Sequence, residues 1–505
     1  MSAHRPPPCV LALDLGSSSV RAQLRDVHGN ARGAAARRAL AWTTGADGRM
    51  ITDAAAAVDL CIAAIDEALA DARNVKAEVA AVAAAAFWHG IAGVDAAGAP
   101  VTPLFGWADA RAHRAAQRLR ARVDAEAAHA RTGCWVHGSY PAARLLWLRE
   151  EQGDTFRRAA GWMSLDELLG LRLFGERRCS YSMASGTGLF DLHRLRWDPE
   201  MLDAAGVDEG HLSQLVDADG DGAYRGLLPE FARRWPELAQ IPWTPALGDG
   251  ACATVGSGAA APGRVALTVG TSLAVRKLQA ADAVSVDPGL WCYRLDANRV
   301  VHGRAVSNGG HGFAWLRATL LLPPPDELER LVAAMEPDAH GLTVLPGLLA
   351  ERPPAPDLPP FAAVLGMASA TTPQQVVRAW MEATACRAAD ALRAVERAFG
   401  PADGVVADGG ALESSPAWAA VFTDALGRPL HLSGEREATS RGAAVVALER
   451  LGLAPAPGDP TGGHDFAPRA ENHRRYTEAG ERQRRMEALL HPPAHDTQDT
   501  THPER

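Results

Sequence analysis

LALDLGSSSVRAQLRD, residues 11–26, and VALTVGTSLAVRKL, residues 265–278, are two versions of one pattern. Each runs from an apolar stretch through Gly and small hydroxyl residues into a second alternating stretch, which predicts a β-hairpin with a tight turn. Backbone N–H groups and Ser or Thr hydroxyls in such turns donate to anionic oxygens, and glycine leaves no side chain to hold a phosphate away. Either copy alone reads as an ordinary hairpin. Two copies, one near the start and one near the middle of the chain, predict a duplicated domain with a nucleotide held between the halves. Asp14, two residues before Gly16, stands where a carboxylate reaches a metal ion riding on phosphates. Thr268 stands at the matching place in the second copy, so one half is expected to serve metal and the other phosphate.

The chain of 505 residues has material for two domains, each with its own core. Its net charge of -9 is of mixed sign throughout, without the clustered basic stripe that nucleic-acid binding requires. Lys76 and Lys277 are the only lysines, and neither sits in a G-x-x-x-x-G-K-[ST] loop, which excludes a P-loop enzyme. Seven scattered cysteines with no CxxC pair read as reduced thiols. The N-terminus, MSAHRPPPC, carries no signal-peptide apolar core, and the Ala-rich runs are broken by charges before membrane-spanning length. A cytoplasmic protein with no membrane partner is expected.

Residues 53–73 place Val58, Ile62, Ile65 and Leu69 on one helical face after a Thr52 or Asp53 cap. EVAAVAAAAF, residues 78–87, then fits a buried strand ending at Trp88-His89-Gly90, and strand ends beside helices are where α/β proteins keep ligands. VVADGG, residues 405–410, repeats the arrangement before a helix from about Ser415 to Leu426 with Pro416 in its first turn. Gly and Pro cluster in GSGAAAPGR, residues 256–264, the expected inter-domain hinge. The predicted domains are thus 1–258 and 259–454. Residues 346–360 read as a Pro-rich surface excursion, and 455–505 as a loosely ordered tail with a short helix around Glu478 to Leu490.

LGDGACATVGSG, residues 247–258, sets Asp249 between glycines ahead of that hinge, placed to take a proton from a substrate hydroxyl. A turn Asp bonding its own backbone is the commoner fate of a GDG tripeptide.

Taken in order, ALDLGSSSVR, SYPAARLLWLREE (139–151), LGDGACATVGSG, LTVGTS, DGGALESSPAWAAVFTDALGRPL and EATSRGAAVVAL resemble the FGGY family of carbohydrate kinases, from about residue 9 to 452. Where the second of these signatures normally carries Lys, this chain has Arg144. The resemblance implies an α/β fold of two ribonuclease H-like domains, the superfold of actin, hexokinase and the Hsp70 ATPase, with a nucleotide cleft between them. It implies ATP and Mg²⁺ as cofactors, Asp249 as general base, and Asp14 holding Mg²⁺ through water. Gly16, Ser17 and Ser18 would surround the transferring phosphate, and Gly270 and Thr271 would contact the nucleotide phosphates. Gly310, Gly409, Gly410 and Ser414 correspond to nucleoside-side contacts.

The acceptor site is expected mainly from the first domain, in FWHGIAGVDAAGAPVTPLFGWADARAHR, residues 87–114. Trp88, His89, Trp107, Asp109 and Arg111 are the candidates, with Trp88 stacking on the carbon chain. The wording WHG...WADAR is closer to gluconate kinases than to xylulose or glycerol kinases, which makes D-gluconate the first acceptor and a pentulose such as xylulose the second. A carboxylated acceptor wants a cation, and Arg111 or Arg144 is expected to supply it. Trp147 reads as core, while His137, His302 and His311 are given no role. A catalytically silent sugar sensor of the same fold is the alternative of another class, disfavoured by the joint presence of Asp14, Asp249 and Thr271. A small-molecule sugar is the expected partner, and a homodimer is left open.

Overall fold

Residues 8–490 are described by the computed structural model, except 75–76, 218–220, 283, 355–359 and 454–457. The first quoted segment forms β1 (Pro8–Leu15) and β2 (Ser19–Asp26), antiparallel, followed by β3 (Ala31–Ala39). Helix α1 (Ala54–Asn74) crosses over to β4 (Glu78–Ala86), which runs parallel to β1, and a short β5 (Leu247–Gly248) adds beyond it. The Asp53 carboxylate caps α1 by accepting from Ala56 N at 2.8 Å. Val58, Ile62, Ile65 and Leu69 are all buried, each such side chain stabilising by about 2 kcal/mol on transfer arguments.

The second quoted segment forms β6 (Arg264–Val269) and β7 (Leu273–Ala280), again antiparallel, in a sheet with β8 (Trp291–Asp296) and β9 (Arg299–Val306). Parallel strands β10 (Gly404–Asp408) and β11 (Leu430–Ser433) extend it on the other side. The order β3-β2-β1-β4-β5 in one lobe is matched by β9-β7-β6-β10-β11 in the other. This is the duplication that the repeated hairpin predicts, with β8 and a last strand, β12 (Gly463–Phe466), as additions.

Both Gly-Ser turns lie at the same end of their sheets. Helix α2 (Pro141–Glu151) packs in the first lobe, and α3 (Asp249–Gly256) starts directly from β5. In the second lobe, α4 (Gly310–Thr319) follows β9, α5 (Pro373–Phe399) spans the core, and α6 (Pro416–Leu426) starts at the Ser415 cap. Helix α7 (Ala438–Arg450) lies within the second predicted span yet packs on α3, β1 and β4. A Cβ at Gly256 would overlap Ala438 O, and one at Gly442 would overlap Cys252 O, so these two glycines permit the helix contact that joins the lobes. By packing, α7 belongs to the first core although it follows residue 258 in sequence.

The expected loose tail is corrected where it is described. Its β12 pairs with β11, and α8 (Ala470–Leu490) packs on α5 and α6. Tyr476 of α8 is buried, its hydroxyl accepting from Arg378 at 2.8 Å and donating to Glu382 at 3.2 Å. Arg469 clamps Asp424 through both Nε and Nη2. The buried stripe is Tyr476, Ala479, Gly480 and Gln483, which a scan for apolar residues passes over. The other parts of that tail, 455–457 and 491–505, lie outside the described residues, as do residues 355–359 of the Pro-rich excursion. All seven cysteines are buried, and none forms a disulfide. Among the described residues no helix is long and apolar enough to cross a membrane.

Candidate active site

The first turn closes through Gly16 N to Ser19 O at 3.1 Å, leaving Ser18 exposed and Gly16 and Ser17 half-buried. Asp14 is buried beside it, with Arg21 Nη1 at 3.3 Å. Burial raises the Asp14 carboxyl to about 7, Arg21 opposes this, and the negative charge of Asp249 adds to it. Register explains the proximity: Asp14 pairs with Ala85 and Gly248 with Ala86, so Asp14 and Asp249 emerge at one sheet edge with a single strand between them. A buried carboxylate raised by its burial and, further, by a neighbouring acid suits a cation, so Asp14 fits the metal-holding role as a type.

The second turn is built into the start of α4. Gly309 N and His311 N both donate to Thr271 O, at 3.2 and 3.1 Å, and Gly310 N donates to Gly270 O at 2.7 Å. A Cβ at Gly310 would stand 2.8 Å from Gly270 O, and one at Gly409 (φ +108°) would collide with Val269 O. Backbone packing by itself requires glycine at these two positions. A Cβ at Gly410 would meet nothing within 4 Å, so that position faces open space. The Ser414 hydroxyl donates to Gly410 O at 2.7 Å, which leaves it acceptor capacity only.

A cavity of about 220 Å³ lies at the seam of the lobes. Ser17, Trp88, His89, Trp107 and Asp249 line it from the first lobe, and Ser272, Arg276, Trp291, Tyr293 and Arg352 from the second. The second lobe adds to the first-lobe lining: β8 carries Trp291 and Tyr293 across, fastened by Cys292 N to Gly133 O at 3.0 Å and by a Tyr140–Tyr293 hydroxyl bond of 2.8 Å.

Asp249 is the first residue of α3, where the helix N-terminus favours a carboxylate, and its Oδ1 accepts from Gly250 N at 2.7 Å. Burial pushes its pKa above the ordinary value, while Arg276, the Gly250 amide and, less strongly, Arg352 pull it back. Trp88 braces this turn. Its Nε1 donates to Ser182 O at 2.9 Å, and a Cβ at Gly248 would overlap its ring. Trp88 is therefore first a packing residue under Asp249, with only part of its surface turned to the cavity. His89 adopts φ +69° and its Nδ1 lies 2.6 Å from Gly186 O, so Nδ1 carries the proton and Nε2 is left as an acceptor. Burial lowers its pKa to about 3, keeping the ring neutral.

Asp109 and Arg111 are not brought to the cavity. Arg111 Nη2 and Nε hold the buried Asp109 carboxylate at 2.6 and 3.0 Å, and Met50 N donates to it at 2.9 Å, which satisfies the acid internally. Arg144 is fully buried in α2 and donates to His89 O at 3.0 Å and Asp109 O at 3.3 Å. It shapes the acceptor stretch from beneath and is not a free cation.

The cations that do line the cavity are ones the sequence left unnoticed. Arg276 Nη1 donates to Thr268 Oγ1 at 2.9 Å, and its alternation along β7 after LTVGTS was the available signal. Arg352 comes from the Pro-rich stretch assigned to the surface. Its guanidinium lies 4.3 Å from the Trp107 ring centroid, its Nε is buried without a partner, and it makes no hydrogen bond or ion pair among the described residues. Elsewhere Asp338, His340 and Glu382 could in principle share an ion, but Arg378 and Arg482 already neutralise the two acids.

Residues 9–256 match the N-terminal domain, and residues 265–449 the C-terminal domain, of the FGGY family of carbohydrate kinases. The chain is 27% identical over 376 residues to a gluconokinase from Bacillus subtilis, covering 72% of this chain and 73% of the relative. Among solved structures it resembles a xylulose kinase from Lactobacillus acidophilus (TM-score 0.88, 23% identity, 96% and 98% of the two chains). A gluconate kinase from the same organism gives a TM-score of 0.87 at 23% identity, over 96% and 98% of the two chains. At that identity the two structures speak for the fold, the two-lobed ATPase architecture.

Proposed function

This chain belongs to the FGGY family of carbohydrate kinases, and we propose that it transfers the terminal phosphoryl group of ATP to the C6 hydroxyl of D-gluconate, giving 6-phosphogluconate and ADP. The observation that carries the acceptor assignment is Arg352, a guanidinium without a partner among the described residues, inside the acceptor cavity. A neutral polyol has no charge to set against that guanidinium, whereas a carboxylate can pair with it bidentately. The likeness to a gluconokinase over 72% of the chain supports the same choice.

In this mechanism ATP lies between the two turns. Gly16, Ser17 and Ser18 receive the terminal phosphate, Gly270 and Thr271 the inner phosphates, and Gly310, Gly409, Gly410 and Ser414 border the nucleoside. Asp14 would hold Mg²⁺, which when bound supplies charge neutralisation on the phosphate oxygens. Neutral His89 accepts a hydroxyl hydrogen at Nε2, the Trp107 face borders the carbon chain, and Arg352 takes the carboxylate. Asp249 removes the proton from the attacking hydroxyl as the new O–P bond forms. Its raised pKa makes it a stronger base than an ordinary aspartate while Arg276 keeps it ionised. Closure about residues 256–264 excludes water, the competing acceptor.

A coupled ADP-release assay across gluconate, xylulose, ribulose and glycerol tests this. Preference for gluconate is expected. Preference for a neutral pentulose makes the protein a pentulose kinase, and silence on every acceptor makes it a sensor.

A further inference from the structure

Ser307, Asn308 and Gly309, where β9 gives way to α4, touch both sides of the cleft. Toward the nucleotide side, the amides of Gly309, Gly310 and His311 hold the Gly270–Thr271 turn. Toward the acceptor side, the Asn308 carboxamide is spent on the loop that ends in Arg352. Its Nδ2 donates to Leu349 O at 2.8 Å and to Glu351 Oε1 at 2.6 Å, and its Oδ1 accepts from Leu349 N at 2.8 Å. Ser307 N completes the clamp by donating to Glu351 Oε2 at 2.9 Å. Asn308 is 1% exposed, so these bonds are made away from water, where groups left unpaired are costly. Arg352 follows Glu351 directly and has no polar bond of its own among the described residues, so the backbone of 349–351 decides where its guanidinium stands.

We infer that Asn308 and Glu351 are positioning residues that set Arg352 over the acceptor cavity and tie its placement to the turn at Thr271. Nucleotide and acceptor then bind with positive, reciprocal coupling. The inference rests on the acceptor reading of Arg352 given above. Nucleotide at the Gly270–Thr271 turn orders the Gly309–His311 amides, and through Asn308 the loop of residues 349–352. The entropy of ordering that loop is then spent before the acceptor arrives. Linkage requires the acceptor to tighten nucleotide by the same factor.

The test uses the full chain and Asn308→Ala, with amide hydrogen exchange at residues 349–352 measured with and without a non-hydrolysable ATP analogue. In the unaltered protein the analogue is expected to slow exchange there, and to lower the gluconate dissociation constant about tenfold. Asn308→Ala is expected to exchange faster at Leu349 and to lose the response to nucleotide. Should that variant fail to fold, Asn308→Asp weakens the clamp by placing two carboxylates together, and adding Glu351→Gln reverses donor and acceptor across the 308–351 bond; Leu349 O stays without its donor, so the response is expected to return in part. Exchange at 349–352 that ignores nucleotide in the unaltered protein, or no rescue in the double variant, overturns the inference. Failure of the gluconate assignment is distinguishable: it leaves gluconate unbound while the exchange measurement still judges the clamp.

Discussion

Arg276 Nη1 donates to Thr268 Oγ1 at 2.9 Å, which fixes one guanidinium between two acids of different lobes, Asp249 after β5 and Asp408 at the end of β10. Burial raises Asp408 to about 6, with the Thr268 hydroxyl and Arg276 acting against it. The same guanidinium reaches the first lobe: a Cβ at Gly250 would stand 2.9 Å from Arg276 Nε. Thr268, where the first hairpin has Asp14, thus serves as the acceptor that aims an arginine into the cavity.

Arg276→Ala is expected to lower turnover by roughly 10² to 10³, the range for losing one preorganised donor at a charged transition state. Removing its charge also raises the Asp249 pKa further, so the acid limb of the pH–rate profile moves to higher pH. Steady-state rates between pH 5 and 8 measure both effects, and an unmoved acid limb would separate Arg276 from Asp249.

Asp249→Asn is expected to retain nucleotide binding and lose about 10² to 10⁴ in turnover, the span of general-base catalysis. A base works ionised, so activity in the unaltered protein falls as pH drops through the Asp249 pKa. Because burial raises that pKa, the fall begins above the ordinary aspartate value of about 3.9. Calorimetric nucleotide titration beside turnover of the variant checks the division of roles.

Gly248→Ala tests the brace under Asp249. The added methyl would overlap the Trp88 ring, which a Cβ at Gly186 would also approach within 2.5 Å, so the indole has nowhere to retreat. A loss of about 1 to 3 kcal/mol is expected from overpacking, with turnover falling as Asp249 shifts. Combining it with Trp88→Leu should recover part of the stability in urea unfolding.

His302 makes folding pH-dependent. It is buried in β9, 4.5 Å from the Phe399 ring centroid, its Nδ1 has no partner among the described residues, and burial lowers its pKa from 6.5 to about 4. The unfolded chain therefore binds the proton first as pH falls. The stabilisation is complete above about pH 6.5 and is lost progressively down to the folded value, amounting to about 2 kcal/mol by pH 5. His302→Gln should flatten the fall of the urea midpoint between pH 7 and 5.

Tyr476→Phe probes α8, which begins at Ala470, ahead of the short helix expected from Glu478. It strips the Arg378 and Glu382 pair of a buried partner, and a loss of about 1 to 3 kcal/mol is expected for leaving such groups unpaired. A loss within error would mean that the other α8 contacts, among them Arg482 on Asp338 and Gln483 on Val344 O, hold the helix without it.

Much of the fold was legible because its signals are local. The two Gly-Ser hairpins, the α1 face of Val58, Ile62, Ile65 and Leu69, and the strands leading to Trp88 and Asp408 each depend on residues within a few positions of one another. The candidate site was legible where a motif sits on a sheet edge, as at Asp14, His89, Trp107 and Asp249. It was not legible where only the fold decides which partner consumes or supplies a group. Arg111 is close enough in sequence to neutralise Asp109 and so withdraws both from the cavity, while Arg352 reaches it from a proline-rich stretch that composition assigns to the surface.

The amino-acid sequence by itself determined the duplication, the family and the pair of acids at the cleft, since periodicity, turn chemistry and motif spacing are properties of neighbouring residues. Only the tertiary structure decided which arginines are free, why Gly310 and Gly409 carry no side chain, and that α7 and α8 close the two cores. Those outcomes depend on burial and on hydrogen-bond satisfaction, which a side chain acquires only from whatever the fold sets against it.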